Sequence, residues 1–531
     1  MTLRLTLPAP DRHSIIGKTR SPDERAEIVV VGAGPAGCTA AIEAAKAGAS
    51  VVLVDENPVS PGLIGTDVPF HFGGRATNAV QSPERLVERV LESNPALAKA
   101  FELGVDVRLS TSAWGAWVAG PGLKLHPEGG IVGLADETRS WLLGFDRLIL
   151  ATGARDLNLS FAGSDQPGVM GAQALHALLT RYEAFAGRRL VILGTGDLAV
   201  RTAELALDHG LDVVALVEAR DAPQGDAARL AALKTRGIEI LTGRVPLAAE
   251  AGPDGVAALV LAPASGDGER RTIPCDTVCL AVGAVPVIEL FDVLGAKRAM
   301  NSARGGHVPV LGANGATSLP HVFAAGDCAG LGGEAEAAGR SAARAALASL
   351  GREADAPEGV APVTGPDALA YQLDWARALL ATGGEEVLAC LCEDVTRGEL
   401  LAVQPPRYLG WRSNAIARRS LQTLAEDGPV DQDQIKRLTR ACMGACQARR
   451  CREQVALTMA LGANVLPETI PLAGYRAPVR PLPLAVLADA EEPEAMARDW
   501  NVWFGITTQW VGYDDIGTER EDEQLRAGMP Y

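Results

Sequence analysis

The sequence predicts an α/β protein with two Rossmann-like nucleotide-binding folds and a mainly helical C-terminal domain. Two strand–glycine–helix–strand units predict the folds: AEIVVVGAGPAGCTAAIEAAKAGASVVLVDENP, and RRLVILGTGDLAVRTAELALDHGLDVVALVEAR from residue 188. Three further strand-and-glycine segments, FDRLILATGARD, CDTVCLAVGAVPV and LPHVFAAGDCAG, imply that one fold is inserted in the other. After residue 366 the apolar spacing turns helical, and five of the nine cysteines lie from Cys390 to Cys451.

The 531 residues amount to three or four domains at roughly 150 residues each. Residues 1–24 read as an extension. Residues 25–165 and 300–355 read as a discontinuous first domain, and 166–299 as the inserted second nucleotide fold. PEGVAPVTGP (357–366) reads as a linker. Residues 367–472 read as the cysteine-bearing helical domain, and 473–531 as a mostly irregular covering tail. Lys plus Arg is 49 against 65 Asp plus Glu, a formal charge of −16, which argues against a general nucleic-acid binder. No stretch approaches eighteen uncharged apolar residues, so no transmembrane segment is expected. The N-terminus lacks an apolar secretory core, so a cytoplasmic protein is expected, with peripheral attachment to a membrane as the variant.

Ile28 to Val31 read as a buried strand. Gly32 permits the tight turn, Gly34 lets the backbone approach a pyrophosphate, and Gly37 lets the helix pack on the strand. Pro35 and Ala36 open that helix, whose unpaired N–H groups favour an anion. Asp55 ends the second strand, 23 residues after Gly32, where an acid accepts hydrogen bonds from a ribose. Glu56 is the neighbouring candidate.

The second motif is weaker. Gly194 and Gly196 hold the turn, and Ala199 takes the third glycine position. Asp197 lies inside the loop, where its charge would oppose a phosphate if it faced inward. Glu218 ends the next strand and would favour an unphosphorylated ribose. A second adenine nucleotide, NAD or ATP, and an empty structural scaffold are the two readings.

Cys390-x-Cys392 and Cys446-x4-Cys451 are separated by a long segment, and Cys442 stands in addition. Four thiolates hold zinc or a [2Fe–2S] cluster, and a C-x-C pair is less usual for structural zinc. Lys436, Arg437, Arg440, Arg449, Arg450 and Arg452 surround the second pair, and cations favour an anionic cluster that accepts electrons. Cys390, Cys392, Cys446 and Cys451 are therefore the candidate ligands, with Cys442 competing for the last place. Asp394 reads as a helix cap after VLACLC. Cys38, Cys275, Cys279 and Cys328 read as packing residues.

VVVGAGPAG, ATGARD (151–156) and FAAGDCAG (323–330) resemble the two-nucleotide-domain flavoproteins typified by glutathione and thioredoxin reductases. The resemblance implies FAD in the first fold, with Thr152, Gly153, Gly326 and Asp327 near it. Asp327 would meet a ribityl hydroxyl, since a carboxylate repels phosphate; a helix-capping role suits the same position. The redox-active disulfide usual in those reductases has no counterpart in the two folds.

CLCEDVT and TRACMGACQARRC resemble the helical [2Fe–2S] domain related to bacterioferritin-associated ferredoxin. Over about residues 25–470 the chain resembles the large FAD subunits of opine oxidases, hydroxyproline and proline dehydrogenases, and hydrogen cyanide synthase. Cys442 stands where those relatives often have Gly, and the tail after Tyr475 is longer than theirs. The resemblance implies a smaller FAD-containing partner of the glycine-oxidase type that oxidises an amino acid, imino acid or opine-like secondary amine. This chain would relay the electrons, and a small ferredoxin-like subunit would be a further partner. A flavin beside a cluster splits a two-electron oxidation into single-electron steps. No His–Asp pair near the flavin motifs offers a substrate base, so no catalytic residue is assigned. Arg155 faces either the flavin ring or a carboxylate. A self-contained NAD(P)H-dependent reductase and a non-catalytic FAD-binding scaffold are the alternatives.

Overall fold

The computed structural model describes residues 21–59, 83–119, 129–356, 367–410, 419–488 and 513–521. The expected linker 357–366, most of the N-terminal extension and tail residues 489–512 and 522–531 lie outside them.

Glu24–Val31 is the central strand of the first sheet, with parallel neighbours Val51–Val54 and Ser140–Leu150. Both faces of a central parallel strand are covered, which is why Ile28 to Val31 are apolar throughout. The order across the sheet is Asp106–Arg108, Val51–Val54, Glu24–Val31, Ser140–Leu150, Gly130–Ala135, Ser112–Trp117. The long strand Ser140–Leu150 shares its other edge. Its first half pairs antiparallel with Gly130–Ala135, and its end pairs parallel with the returning strand Val322–Ala324. The first sheet is thus built from two stretches of chain.

Helix Pro35–Lys46 buries Ala36, Ala40, Ala41 and Ala44, and helix Ala335–Ser349 packs on it. The alanines and Gly339 set the spacing, since a Cβ on Gly339 would stand 2.2 Å from the Ala36 carbonyl oxygen. The helix Ala335–Ser349 begins after Glu334, so Asp327 is not its cap; it sits in the preceding short turn Gly326–Ala329.

The second sheet is fully parallel, ordered Glu239–Leu241, Asp212–Val217, Arg189–Leu193, Thr277–Leu280, Val169–Gly171. A three-stranded antiparallel meander, Arg244–Gly252, Gly255–Pro263 and Arg271–Pro274, follows its last helix. Ala154–Asp156 pairs with Ala284–Pro286 where the chain crosses between the two folds.

The third region carries helices Ala368–Thr382, Gln432–Thr439 and Arg452–Ala463 and the hairpin Leu388–Cys390/Val395–Thr396. Asp394 has a left-handed φ of 47° and lies in that hairpin's turn. The helix cap is Thr396, in a reciprocal capping box with Glu399, which corrects the expectation for Asp394. The start of the tail is irregular but tightly tied. The Tyr475 amide donates to Asp292 (2.7 Å), the Val479 amide to the Trp114 carbonyl (2.7 Å), and Arg480 pairs with Glu56 (2.8 Å). No described helix is long and apolar enough to cross a membrane.

Candidate functional site

The first glycine loop is shaped from within. Gly32 has φ 105°, and a Cβ there would meet the Ala151 carbonyl oxygen at 2.3 Å. A Cβ on Gly37 would fall 1.7 Å from the Gly32 oxygen. Gly34 has nothing within 4 Å of its would-be Cβ and opens onto a cavity of about 480 Å³. Gly32, Gly34, Pro35, Asp55 and Glu56 line one side of that cavity; Thr152, Gly153 and Asp327 line another. Ala36 lies beneath, against Gly326, whose would-be Cβ is 2.9 Å from the Ala36 methyl. Asp55 accepts from the Ala33 amide (2.5 Å) and the Asn57 amide (2.8 Å), so the acid also fastens the loop. Thr152 donates to the Val287 carbonyl (2.9 Å). Burial raises the Asp327 carboxyl above its ordinary value, with Arg201 and Arg304 opposing. A bare glycine face, loop amides and a half-buried acid fit the pyrophosphate and ribose of FAD.

The second loop has the same backbone and a different occupant. Gly194 has φ 107°, and the would-be Cβ of Gly196 faces the ring of Tyr371 at 4.0 Å. Neither glycine lines the cavity. Glu218 is fully buried. It accepts from the hydroxyls of Thr195 and Tyr371 (2.7 Å for the tyrosine) and from the Arg220 amide (3.0 Å). The residue expected to read a ribose therefore faces a tyrosine. Tyr371 comes from helix Ala368–Thr382, and no motif in the sequence marks it.

The five clustered cysteines do meet. The sulfurs stand at 3.9 Å for Cys390–Cys392, and at 3.6 Å for Cys392–Cys446, Cys390–Cys451 and Cys442–Cys451. Thiolates about 2.3 Å from one tetrahedral metal stand about 3.8 Å apart, so individual pairs are spaced for shared ligation, although among the described residues no group of three or more such side chains is already arranged around one ion. Sulfur hydrogen bonds pull the Cys390 and Cys446 thiols down and push those of Cys392 and Cys451 up. Gly444 leaves room for the group: a Cβ there would stand 2.4 Å from the Cys392 sulfur. Cys442 adopts a left-handed φ of 71°, a conformation that favours glycine. None of the nine cysteines is in a disulfide, and Cys38, Cys275, Cys279 and Cys328 are buried apart from the cluster.

The basic residues do not form an even shell. Arg449 donates to the Val479 carbonyl and, with Arg450, lines the glycine-walled cavity. Arg452 turns away, with its guanidinium 4.1 Å from the ring centre of Tyr475. Arg440 pairs with Glu393 (2.7 Å). Arg155 lines the cavity and also holds carboxylates: Glu453 at 2.7 Å and Glu289 at 3.5 Å. Burial opposes the charge on Glu453, yet Arg155 and then Arg452 hold its carboxyl below the ordinary value. Glu453 lies two residues after Cys451, so this ion pair joins the cavity wall to the cysteine segment. The sequence signal for it was present only as an acid ending a basic run.

Residues 26–345 match the family described as pyridine nucleotide-disulphide oxidoreductase. An opine oxidase subunit of Agrobacterium tumefaciens (strain Ach5) is 29% identical over 482 residues, covering 87% of this chain and 91% of the relative. Hydrogen cyanide synthase subunit HcnB of Pseudomonas protegens is 28% identical over 464 residues, covering 80% and 89%. Among solved structures, L-proline dehydrogenase from P. horikoshii superposes with a TM-score of 0.59 at 20% identity, over 88% of this chain and 81% of that one. The last likeness speaks for the fold alone. The first two agree with the resemblance carried by the glycine and cysteine motifs. The chain belongs to the pyridine nucleotide-disulphide oxidoreductase family.

Proposed function

We propose that this chain is the FAD- and [2Fe–2S]-containing electron-transfer subunit of a heteromeric dehydrogenase. Its donor would be the C–N bond of an amino acid, an imino acid or an opine-like secondary amine. One observation carries the reading: the segment that bears Cys446 and Cys451 also supplies Arg449 and Arg450 to the wall of the cavity at Gly34. Bound flavin would take electrons in pairs, and a cluster would pass them singly. The chain's part is positional. Gly34 and the loop amides would seat the diphosphate, Asp55 the ribose, and Asp327 the ribityl end. Cys390, Cys392, Cys446 and Cys451 would hold the cluster, while Arg155 and Glu453 fix its segment against the cavity. Substrate oxidation would fall to a smaller FAD-containing, glycine-oxidase-like partner; a small ferredoxin-like subunit is the further candidate. Such a complex would work in the cytoplasm or at a membrane surface, without a spanning segment from the described part of this chain.

The test is to co-express the chain with a smaller flavoprotein encoded beside it and add secondary amino acids without oxygen. Flavin bleaching and the electron paramagnetic resonance signal of a reduced [2Fe–2S] centre are expected together. Cys390→Ser, Cys392→Ser, Cys446→Ser and Cys451→Ser should each abolish the signal, and Cys442→Ser should keep it. Zinc in place of iron in anaerobically purified protein would refute the relay.

A further inference from the structure

The second nucleotide loop retains the backbone of a working site. Gly196 has φ −70° and ψ 179°, against −69° and 180° for Gly34. Each is the N-cap of the helix that follows its loop, where unpaired amides favour an anion. The difference lies in what stands before the loop. The Tyr371 hydroxyl donates to the Glu218 carboxylate at 2.7 Å and receives the Thr195 amide at 3.4 Å. Thr195 lies between the two loop glycines, at the position where a diphosphate would seek a donor. Glu218 is the acid from which ribose hydroxyls would seek an acceptor. A single phenol takes one group from each half of the nucleotide's recognition set, and its ring lies on the open side of Gly196.

The tyrosine is held there. The Arg220 guanidinium covers its ring 5.2 Å from the centroid and pairs with Asp374 (2.8 Å), which lies one turn further along the tyrosine's helix. Gln372 of the same helix packs 3.2 Å from the would-be Cβ of Gly283, just past the second sheet's strand Thr277–Leu280. Burial, then the neighbouring Glu218 charge, push the Tyr371 hydroxyl well above its ordinary value, so it stays a protonated donor.

We propose that Tyr371 is a built-in occupant of the second nucleotide site, so that an adenine nucleotide and helix Ala368–Thr382 compete for the Thr195 amide and the Glu218 carboxylate. The helix belongs to the cysteine-bearing region. Docking of that region and closure of the nucleotide site are therefore a single event. A nicotinamide nucleotide then has no seat on this fold and delivers no electrons to it. The proposal extends the electron-relay reading, but nucleotide binding tests it and amine-driven flavin bleaching does not.

The flavin-loaded, iron-loaded protein is titrated calorimetrically with ATP and with NAD, as wild type, Tyr371→Ala and Tyr371→Phe. The wild type is expected to bind neither nucleotide below about 1 mM, and Tyr371→Phe, which frees the Thr195 amide and the Glu218 carboxylate but keeps the ring, is expected to bind more weakly than Tyr371→Ala. Tyr371→Ala is expected to bind at least one of them about tenfold more tightly than that limit. Wild-type binding as tight as that of Tyr371→Ala would overturn the proposal. So would a soluble, flavin-replete Tyr371→Ala protein that binds neither nucleotide. If Tyr371→Ala is insoluble, Asp374→Ala replaces it, because it loosens the helix and leaves the ring. Raised affinity is then the expected result, and continued absence of binding overturns the competition.

Discussion

The two glycine loops have the same backbone and opposite surroundings. At Gly34 the space beyond the loop is open, and at Gly196 it holds a tyrosine ring. Asp55 is half-buried on the cavity wall, whereas Glu218 is sealed and spends its oxygens on protein donors. A glycine motif therefore reports that a diphosphate would fit the backbone. Whether the space is free is decided by chain that arrives from elsewhere.

The largest expected contrast comes from placing the same side chain at both loops. Each glycine has a negative φ that any residue adopts, so neither substitution strains the backbone. Gly34→Val should fold and lose its FAD, because the side chain enters the cavity. Gly196→Val should retain a full complement, at a small loss of thermal stability from pressing on Tyr371. Flavin released by acid and measured by absorbance decides it. Full occupancy in Gly34→Val would place the flavin elsewhere.

The two acids give the next contrast. Asp55→Ala should weaken FAD binding by about tenfold or more, through the lost ribose contact and a loosened Ala33 amide. Glu218→Ala should leave the flavin in place and cost about 1–3 kcal/mol of stability, since two buried hydroxyls and an amide lose their acceptor. Flavin dissociation and denaturant unfolding, run on both variants, separate the cases. A Glu218→Ala protein as stable as wild type would show that the buried carboxylate does not hold the second loop and its helix together.

The smallest effect is expected at the rim. Glu56 is 37% and Arg480 14% exposed in their pair, so Arg480→Gln should cost about 1 kcal/mol, and somewhat less in high salt. A loss of flavin from Arg480→Gln would mean that this ion pair, rather than the loop, closes the cavity.

Much of the first site is legible in the sequence, because its determinants are local. Gly32, Gly34 and Gly37 act on their own turn and helix, and the strand, helix and acid around them are contiguous. The cysteines are legible for the same reason, as two short segments rich in one reactive residue. What the sequence conceals is pairing over distance. Tyr371 lies 153 residues from Glu218, and Arg155 lies 298 from Glu453. Periodicity carries no information about such contacts. The basic run also misleads in detail, because spacing does not say which arginine points inward: Arg450 reaches the cavity while Arg452 stacks on Tyr475. Cys442 is a different case. Its chemistry is visible as one more thiol, but its left-handed backbone is visible only in the fold.

The strap at residues 475–480 gives the chain an inheritance pattern. Val479 and Arg480 line the cavity beside Arg449 and Arg450, and Tyr475 reaches back to Asp292 and Glu289. The pocket that begins at the first glycine loop is thus finished by the last third of the polypeptide. A chimera that exchanged only the cysteine-bearing region for that of a relative would import a foreign wall into the pocket. The parts that can be traded between lineages are therefore larger than the folds: nucleotide domain, cysteine segment and strap must travel together. A lineage that lost the strap would register the loss at the cavity of the first glycine loop, more than four hundred residues upstream in the chain.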